Sequence, residues 1–105
     1  MNKKIAIIGA GGHGKVIGEI ASLNKYEVIN FFDNRADEIK EFPFTIIGNL
    51  DYLKDHLNDY DSFFIAIGKN KLRFEMIEWL KKYNVNIVSL THPKSTVSKF
   101  STLGR

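Results

Sequence analysis

An α/β fold on a doubly wound parallel sheet is what three observations in the sequence predict. Short β-branched or aromatic runs alternate with stretches of helical period. The first run ends in a glycine-rich turn. The segments occur in the order β-α-β, then β, α, β, α, β, and such alternation puts helices on both faces of a parallel sheet. About five strands in the order 3-2-1-4-5 are expected.

Lys4 to Ile8 is a short apolar run ending at Gly9, the pattern of a strand buried on both faces. From about Gly12 to Asn24 the period changes. Val16, Ile17, Ile20 and Ala21 then fall on one side of a helix. Glu27 to Phe32 is a second strand, stopped by Asp33-Asn34-Arg35, and the polar stretch Ala36 to Glu41 reads as loop. Phe44 to Ile47 is a short third strand. Asn49 is placed to cap a helix whose Leu50, Leu53 and Leu57 share a face. Ser62 to Ile67 is a fourth strand ending at Gly68. Asn70 to Tyr83 is a helix in which Leu72, Met76 and Leu80 stack at spacings of four, with Ile77 beside them. Asn86 to Leu90 is the fifth strand.

Composition narrows the function classes. The chain has 105 residues, one core's worth. With 44% hydrophobic and 26% charged residues it is an ordinary globular sequence. The absence of cysteine excludes a disulfide scaffold, a thiol nucleophile and thiolate metal sites, and fits a cytoplasmic chain. No apolar run approaches the ~18–20 residues that span a bilayer. Met1-Asn2-Lys3-Lys4 has the charge of an export signal's start, but glycines interrupt the apolar stretch at once, so a strand is read there. A net charge of +3 suits anionic ligands and is too small to argue for nucleic acid.

The candidate site begins at the first turn. Gly9-Ala10-Gly11-Gly12-His13-Gly14 matches G-x-G-x-x-G after a strand and before a helix, the context that motif requires. Gly9 makes the tight turn, Gly11 lets a phosphate approach the backbone, and Gly14 lets the helix pack close. The helix start offers free N–H groups and partial positive charge to an anion. Asp33 follows nineteen residues after Gly14, at the end of the second strand. A carboxylate there can accept hydrogen bonds from ribose hydroxyls, with Asn34 beside it, although Asp-Asn is also good turn chemistry. The third element is Ala66-Ile67-Gly68-Lys69-Asn70, which the predicted strand order brings opposite the glycine loop across the switch-point crevice. Lys69, Asn70 and Arg73 can reach a phosphate or a base. Asn70 also reads as a helix cap, and the two cations also read as solvated. Lys15 and Lys69, with the helix start, can balance a diphosphate.

The histidines point elsewhere than to metal or catalysis. His13 suits donation to a phosphate or sugar oxygen, since the helix start favours its neutral form. His56 ends a polar helix and His92 precedes Pro93 in a loop. No pair has metal-ligand spacing on one element, and no carboxylate is positioned to make His13 a base. Trp79 and Tyr83 read as packing residues. After Pro93 the pattern changes again. Val97 and Leu103 lie six apart with Gly104 following, one repeat of the hexapeptide pattern of a left-handed parallel β-helix. Taken alone, one repeat reads as a frayed terminus.

The residues Ile5 to Val16, Phe31-Phe32-Asp33-Asn34, Phe63 to Asn70 and His92-Pro93 leading into Ser95 to Gly104 together resemble a family. They are similar to the N-terminal domain of the bacterial PglD-like and NeuD-like sugar acyltransferases, along the whole chain. The resemblance implies a Rossmann-like domain over 1–93 and, over 94–105, a linker and the first turn of a hexapeptide-repeat β-helix. It implies binding of a UDP-amino-sugar, with the diphosphate at Gly11, Gly12, His13 and Gly14 and the uridine near Asp33, Asn34 and Ala66 to Asn70. In the family a following β-helix binds acetyl-CoA, makes a homotrimer and carries the catalytic histidine, a position that falls beyond Arg105. The chain is therefore expected to hold no catalytic residue and no cofactor of its own, and to be a monomer or weak dimer with no membrane or nucleic-acid partner. Its inferred reaction in the complete enzyme is attack of a sugar amine or hydroxyl on the acetyl-CoA thioester. A non-catalytic interaction domain with a purely structural glycine loop leaves the coincidence of that loop, Asp33 and Gly68 unexplained; the main competing reading is a small NAD-binding redox or sensor module. Against it, a full dinucleotide site uses about six strands in two mononucleotide halves.

Overall fold

The computed structural model describes residues 3–11 and 14–90. The chain runs β1 (Lys4–Ile8), α1 (Gly14–Leu23), β2 (Val28–Phe32), β3 (Thr45–Gly48), α2 (Leu50–Lys54), a 3-10 turn (Leu57–Asp59), β4 (Ser62–Ile65) and α3 (Asn70–Lys81). The strands form one sheet in the order β3-β2-β1-β4, and every pairing is parallel. β1 lies at the centre, with Ile7 paired to Phe31 on one side and Phe64 on the other. Its residues Ile5 to Ile8 are all buried, as its uninterrupted apolar run requires.

The two faces of the sheet hold separate cores, because side chains alternate along a strand. Ala6 and Ile8 point to one face with Phe32, Leu53, Leu57, Phe63 and Leu80. Ile5 and Ile7 point to the other with Ala21 and Phe31. α2 and α3 therefore cover one face and α1 the other, the doubly wound arrangement. Asn49 caps α2, its side chain accepting the N–H of Tyr52 at 2.9 Å. Trp79 packs against the first core and meets Tyr83 edge to face.

Three elements depart from the sequence reading. The fifth strand is reduced to a single parallel bridge, Phe63 to Ile87, on the outer side of β4. The Phe63 N–H donates to Asn86 and its carbonyl accepts from Val88, both at 2.8 Å. Outward-facing backbone groups fall on alternate residues, and β4 ends at Ile65, one alternation later, which leaves little edge to extend the ladder. The fifth position in the order is thus kept, without a strand's length. Asn70 is the first residue of α3 rather than its cap; the cap position is Lys69, whose side chain makes no capping bond. Finally, α1 turns a stripe of small residues to the sheet. Gly14, Gly18 and Ala21 are its buried positions, while Val16, expected inward, is 49% exposed. The reason is the aromatic group beneath it. Phe31, Phe42 and Phe44 lie with ring centroids 4.8–6.4 Å apart and occupy the volume that larger helix residues would need. The tail expected to begin a β-helix lies outside the described residues, as does His92.

Candidate functional site

The C-terminal ends of β1, β2 and β4 converge on one cleft of about 620 Å³. Backbone hydrogen bonds fix its floor. The Gly9 N–H donates to the Phe32 carbonyl and the Ala66 N–H to the Ile8 carbonyl, both at 2.8 Å. Gly9 takes φ 107°, and a Cβ there would stand 2.8 Å from the Ala66 carbonyl oxygen. Only glycine permits this turn, so the chain leaves β1 directly beneath the end of β4. Sheets of this kind bind ligands at such a crevice, where neighbouring strands connect in opposite directions.

Gly9 and Gly11 line the cleft from the first turn. A Cβ at Gly11 would meet only the Arg35 Nη2, at 3.9 Å, so its open side faces the cleft. Gly14 is buried behind the loop, where a Cβ would come within 2.8 Å of the Phe42 ring; its absent side chain serves packing. Gly12 and His13 lie outside the described residues. Lys15 is exposed on the first turn of α1 and does not line the cleft.

Asp33 is the centre of the polar side. It is 9% exposed, and four donors surround its carboxylate. Oδ2 accepts the Ala10 N–H at 2.9 Å and faces the Arg35 Nη2 at 3.3 Å. Oδ1 accepts the Arg35 N–H at 2.8 Å, an Asx turn, and faces the Arg35 Nε at 3.3 Å. Burial alone would raise the carboxyl; the Ala10 amide, the Arg35 guanidinium and the Arg35 amide outweigh it and hold Asp33 below the usual carboxylate range. Asn34, exposed beside it, accepts the Leu50 N–H at 3.1 Å and so ties the end of β2 to the start of α2.

The opposite wall comes from Ala66, Ile67, Gly68 and Lys69, which follow β4. Gly68 is exposed and has nothing within 4 Å of where a Cβ would stand. Asn70 and Arg73 are exposed on α3 and do not line the cleft. Their neighbours Leu72 and Met76 do, and with Phe32 and Leu50 they make an apolar lining that suits a flat ring. Sequence reasoning missed this lining because it treated Leu72 and Met76 only as core. It also missed Arg35: its place two residues after Asp33 signals the pairing with that carboxylate but not the position over Gly11. Among the described residues no cluster of His, Asp or Glu is arranged to hold a metal ion. No described helix is long and apolar enough to cross a membrane.

This geometry has relatives. The model of the PglD N-terminal domain matches residues 4–80. The chain is 30% identical over 113 aligned positions to UDP-N-acetylbacillosamine N-acetyltransferase of Bacillus subtilis (strain 168), an alignment that takes in 97% of the chain and 49% of that enzyme. Among solved structures, the acetyltransferase domain of PglB from Neisseria gonorrhoeae FA1090, in complex with acetyl coenzyme A, superposes with a TM-score of 0.76 at 33% identity over 89% of this chain and 45% of that one. PerB from Caulobacter crescentus, in complex with CoA and GDP-perosamine, gives 0.69 at 28% identity over 86% of this chain and 42% of that one. The chain thus spans about half the length of the relatives it matches.

Proposed function

The chain belongs to the PglD N-terminal domain family, and from that premise we propose that it is the nucleotide-sugar-binding part of an acetyl-CoA-dependent sugar acyltransferase. The observation that carries the reading is the cleft itself. An open glycine turn, a buried carboxylate and an apolar wall meet within one space of about 620 Å³. The diphosphate of a UDP-sugar lies over Gly9 and Gly11, facing the start of α1, where backbone N–H groups and the helix dipole favour negative charge. The ribose lies against Asp33 and Asn34. The base lies along Ala66 to Lys69, where exposed backbone supplies hydrogen bonds and Leu72 and Met76 supply apolar contact. Gly12, His13 and Lys15 border the phosphate position in sequence, and Asn70 and Arg73 the base position.

The sugar then projects out of the cleft. In the complete enzyme its amine attacks the acetyl-CoA thioester, and a general base outside this chain removes the proton. The part played by these residues is positioning. Binding energy from the nucleotide, remote from the reacting atoms, holds the nucleophile in place. Two relatives support the class of substrate, one a UDP-N-acetylbacillosamine N-acetyltransferase and one in complex with GDP-perosamine. We also take residues 94–105 to lead into the second half of the protein, with acetyl-CoA bound and trimer contacts made there.

Isothermal titration with UDP, GDP, a UDP-amino-sugar and NAD tests the reading. The expected result is binding of the UDP ligands and no heat with NAD. Binding of NAD alone would overturn the proposal in favour of a redox module, and GDP in place of UDP would correct the base.

A further inference from the structure

The Asp33 carboxylate has about four lone-pair positions, and all four face donors of this chain. As it stands, it has none left for a ribose. The four contacts are unequal. The two backbone donors, Ala10 and Arg35 N–H, stand at 2.9 and 2.8 Å. The two guanidinium donors stand at 3.3 Å, long for a charge-assisted bond, on a side chain that is 61% exposed. A long contact from a solvent-held guanidinium is easier to break than the two backbone bonds, which are built into the loop. The guanidinium also overhangs the glycine turn, its Nη2 3.9 Å from where a Gly11 Cβ would stand. It therefore lies between the carboxylate and the open face where an anion would bind.

Resting on the nucleotide reading above, we propose that Arg35 is the phosphate-reading residue of the cleft, and that its guanidinium transfers from Asp33 to the diphosphate when a nucleotide binds. The transfer keeps the guanidinium paired with negative charge throughout. It also vacates one acceptor position on each Asp33 oxygen, which two adjacent ribose hydroxyls can take. Phosphate and ribose recognition are thereby coupled through one side chain. A nucleoside without phosphate must displace Arg35 and offers it nothing in return. The cleft so discriminates charged nucleotides from nucleosides beyond what the glycine loop does alone.

The test compares two ligand pairs, uridine with UDP and guanosine with GDP, by NMR-detected titration of the wild-type chain and of Arg35→Ala and Arg35→Lys. For whichever base binds, Arg35→Ala is expected to weaken the diphosphate about ten- to a hundredfold, the worth of its charged hydrogen bonds. The nucleoside is expected to bind as well as or better than to wild type, because the carboxylate is uncovered. Arg35→Lys keeps the charge without the fork and falls between them for the diphosphate. Equal loss of nucleoside and diphosphate in Arg35→Ala would overturn the proposal, since Arg35 would then act only by holding Asp33. Unchanged diphosphate affinity would overturn it as well. A wild-type chain that binds neither pair would instead overturn the nucleotide reading on which the proposal rests.

Discussion

The carboxylate of Asp33 accepts the amide hydrogen of Ala10 at 2.9 Å, joining the ends of β1 and β2 across twenty-three positions of chain. Both partners are buried, so the bond fixes the glycine turn against the second strand. Removing the carboxylate leaves the Ala10 N–H without its acceptor in a place water reaches poorly. Asp33→Ala is expected to cost about 1–3 kcal/mol of stability, read by urea denaturation, besides abolishing nucleotide binding. A variant as stable as wild type would show that the turn does not depend on this bond.

The same carboxylate predicts the response to acid. Asp33 is held below its ordinary range in the folded chain, so the unfolded chain binds its proton more readily. Its contribution is complete above the unfolded value of about 3.9. It is lost as pH falls from there through the lower folded value. Asp33→Asn removes that dependence. The stability gap between wild type and Asp33→Asn should therefore be constant near pH 6–7 and narrow below about pH 4. A gap that stays constant down to pH 3 would show that the carboxylate gains nothing from its donors.

Gly9, Gly11 and Gly68 separate folding from binding. Alanine at Gly9 meets the Ala66 carbonyl at 2.8 Å and must hold φ 107°, so it is expected to destabilise by about 1–3 kcal/mol. Alanine at Gly11 meets only the end of the Arg35 side chain, and alanine at Gly68 meets nothing within 4 Å. Those two variants should melt with wild type and, on the proposed nucleotide reading, lose nucleotide affinity, because the added methyl intrudes into the cleft. Thermal melts paired with UDP titrations read both effects. Undiminished affinity in both stable variants would place the ligand outside this cleft.

What the sequence discloses here is what is encoded locally. β1 is visible as an unbroken apolar run because both of its faces are buried. The Asn49 cap and the Gly9 turn are visible because a side chain or a backbone angle acts within a few residues. Arg35 is not, since its position over Gly11 follows from Asp33 being tethered to Ala10, a contact with no trace in local spacing. Nor is the apolar wall, because Leu72 and Met76 share the helical spacing of core residues and only the end of β4 decides that they face the cleft. On α1 the periodicity places Ala21 and Ile17 against the core as found, and errs at Val16. Hydrophobic periodicity favours Val16, but Phe42 and Phe44 enter from the connection before β3 and fill the space over Gly14 and Gly18.

That last relationship yields a prediction in which two effects oppose each other. Gly18 lies in the interior of α1, where alanine would favour the helix by about 1 kcal/mol. A Cβ at Gly18 would, however, collide with Phe44 Cε2 and stand 2.6 Å from Cδ2 and Cζ. The obstacle is a ring face held among Phe31 and Phe42, and overpacking of this kind costs about 1–3 kcal/mol or more. Packing should win, so Gly18→Ala is expected to lower Tm despite its better helix propensity. Phe44→Leu removes the ring and should itself be destabilising. In the Phe44→Leu background, though, Gly18→Ala should become neutral or stabilising, because the propensity gain then stands alone. The double-mutant cycle measures this directly, as a favourable coupling between the two substitutions. Additive effects would mean that α1 shifts away from the sheet to admit the methyl, and that the small-residue stripe does not set how closely the helix packs.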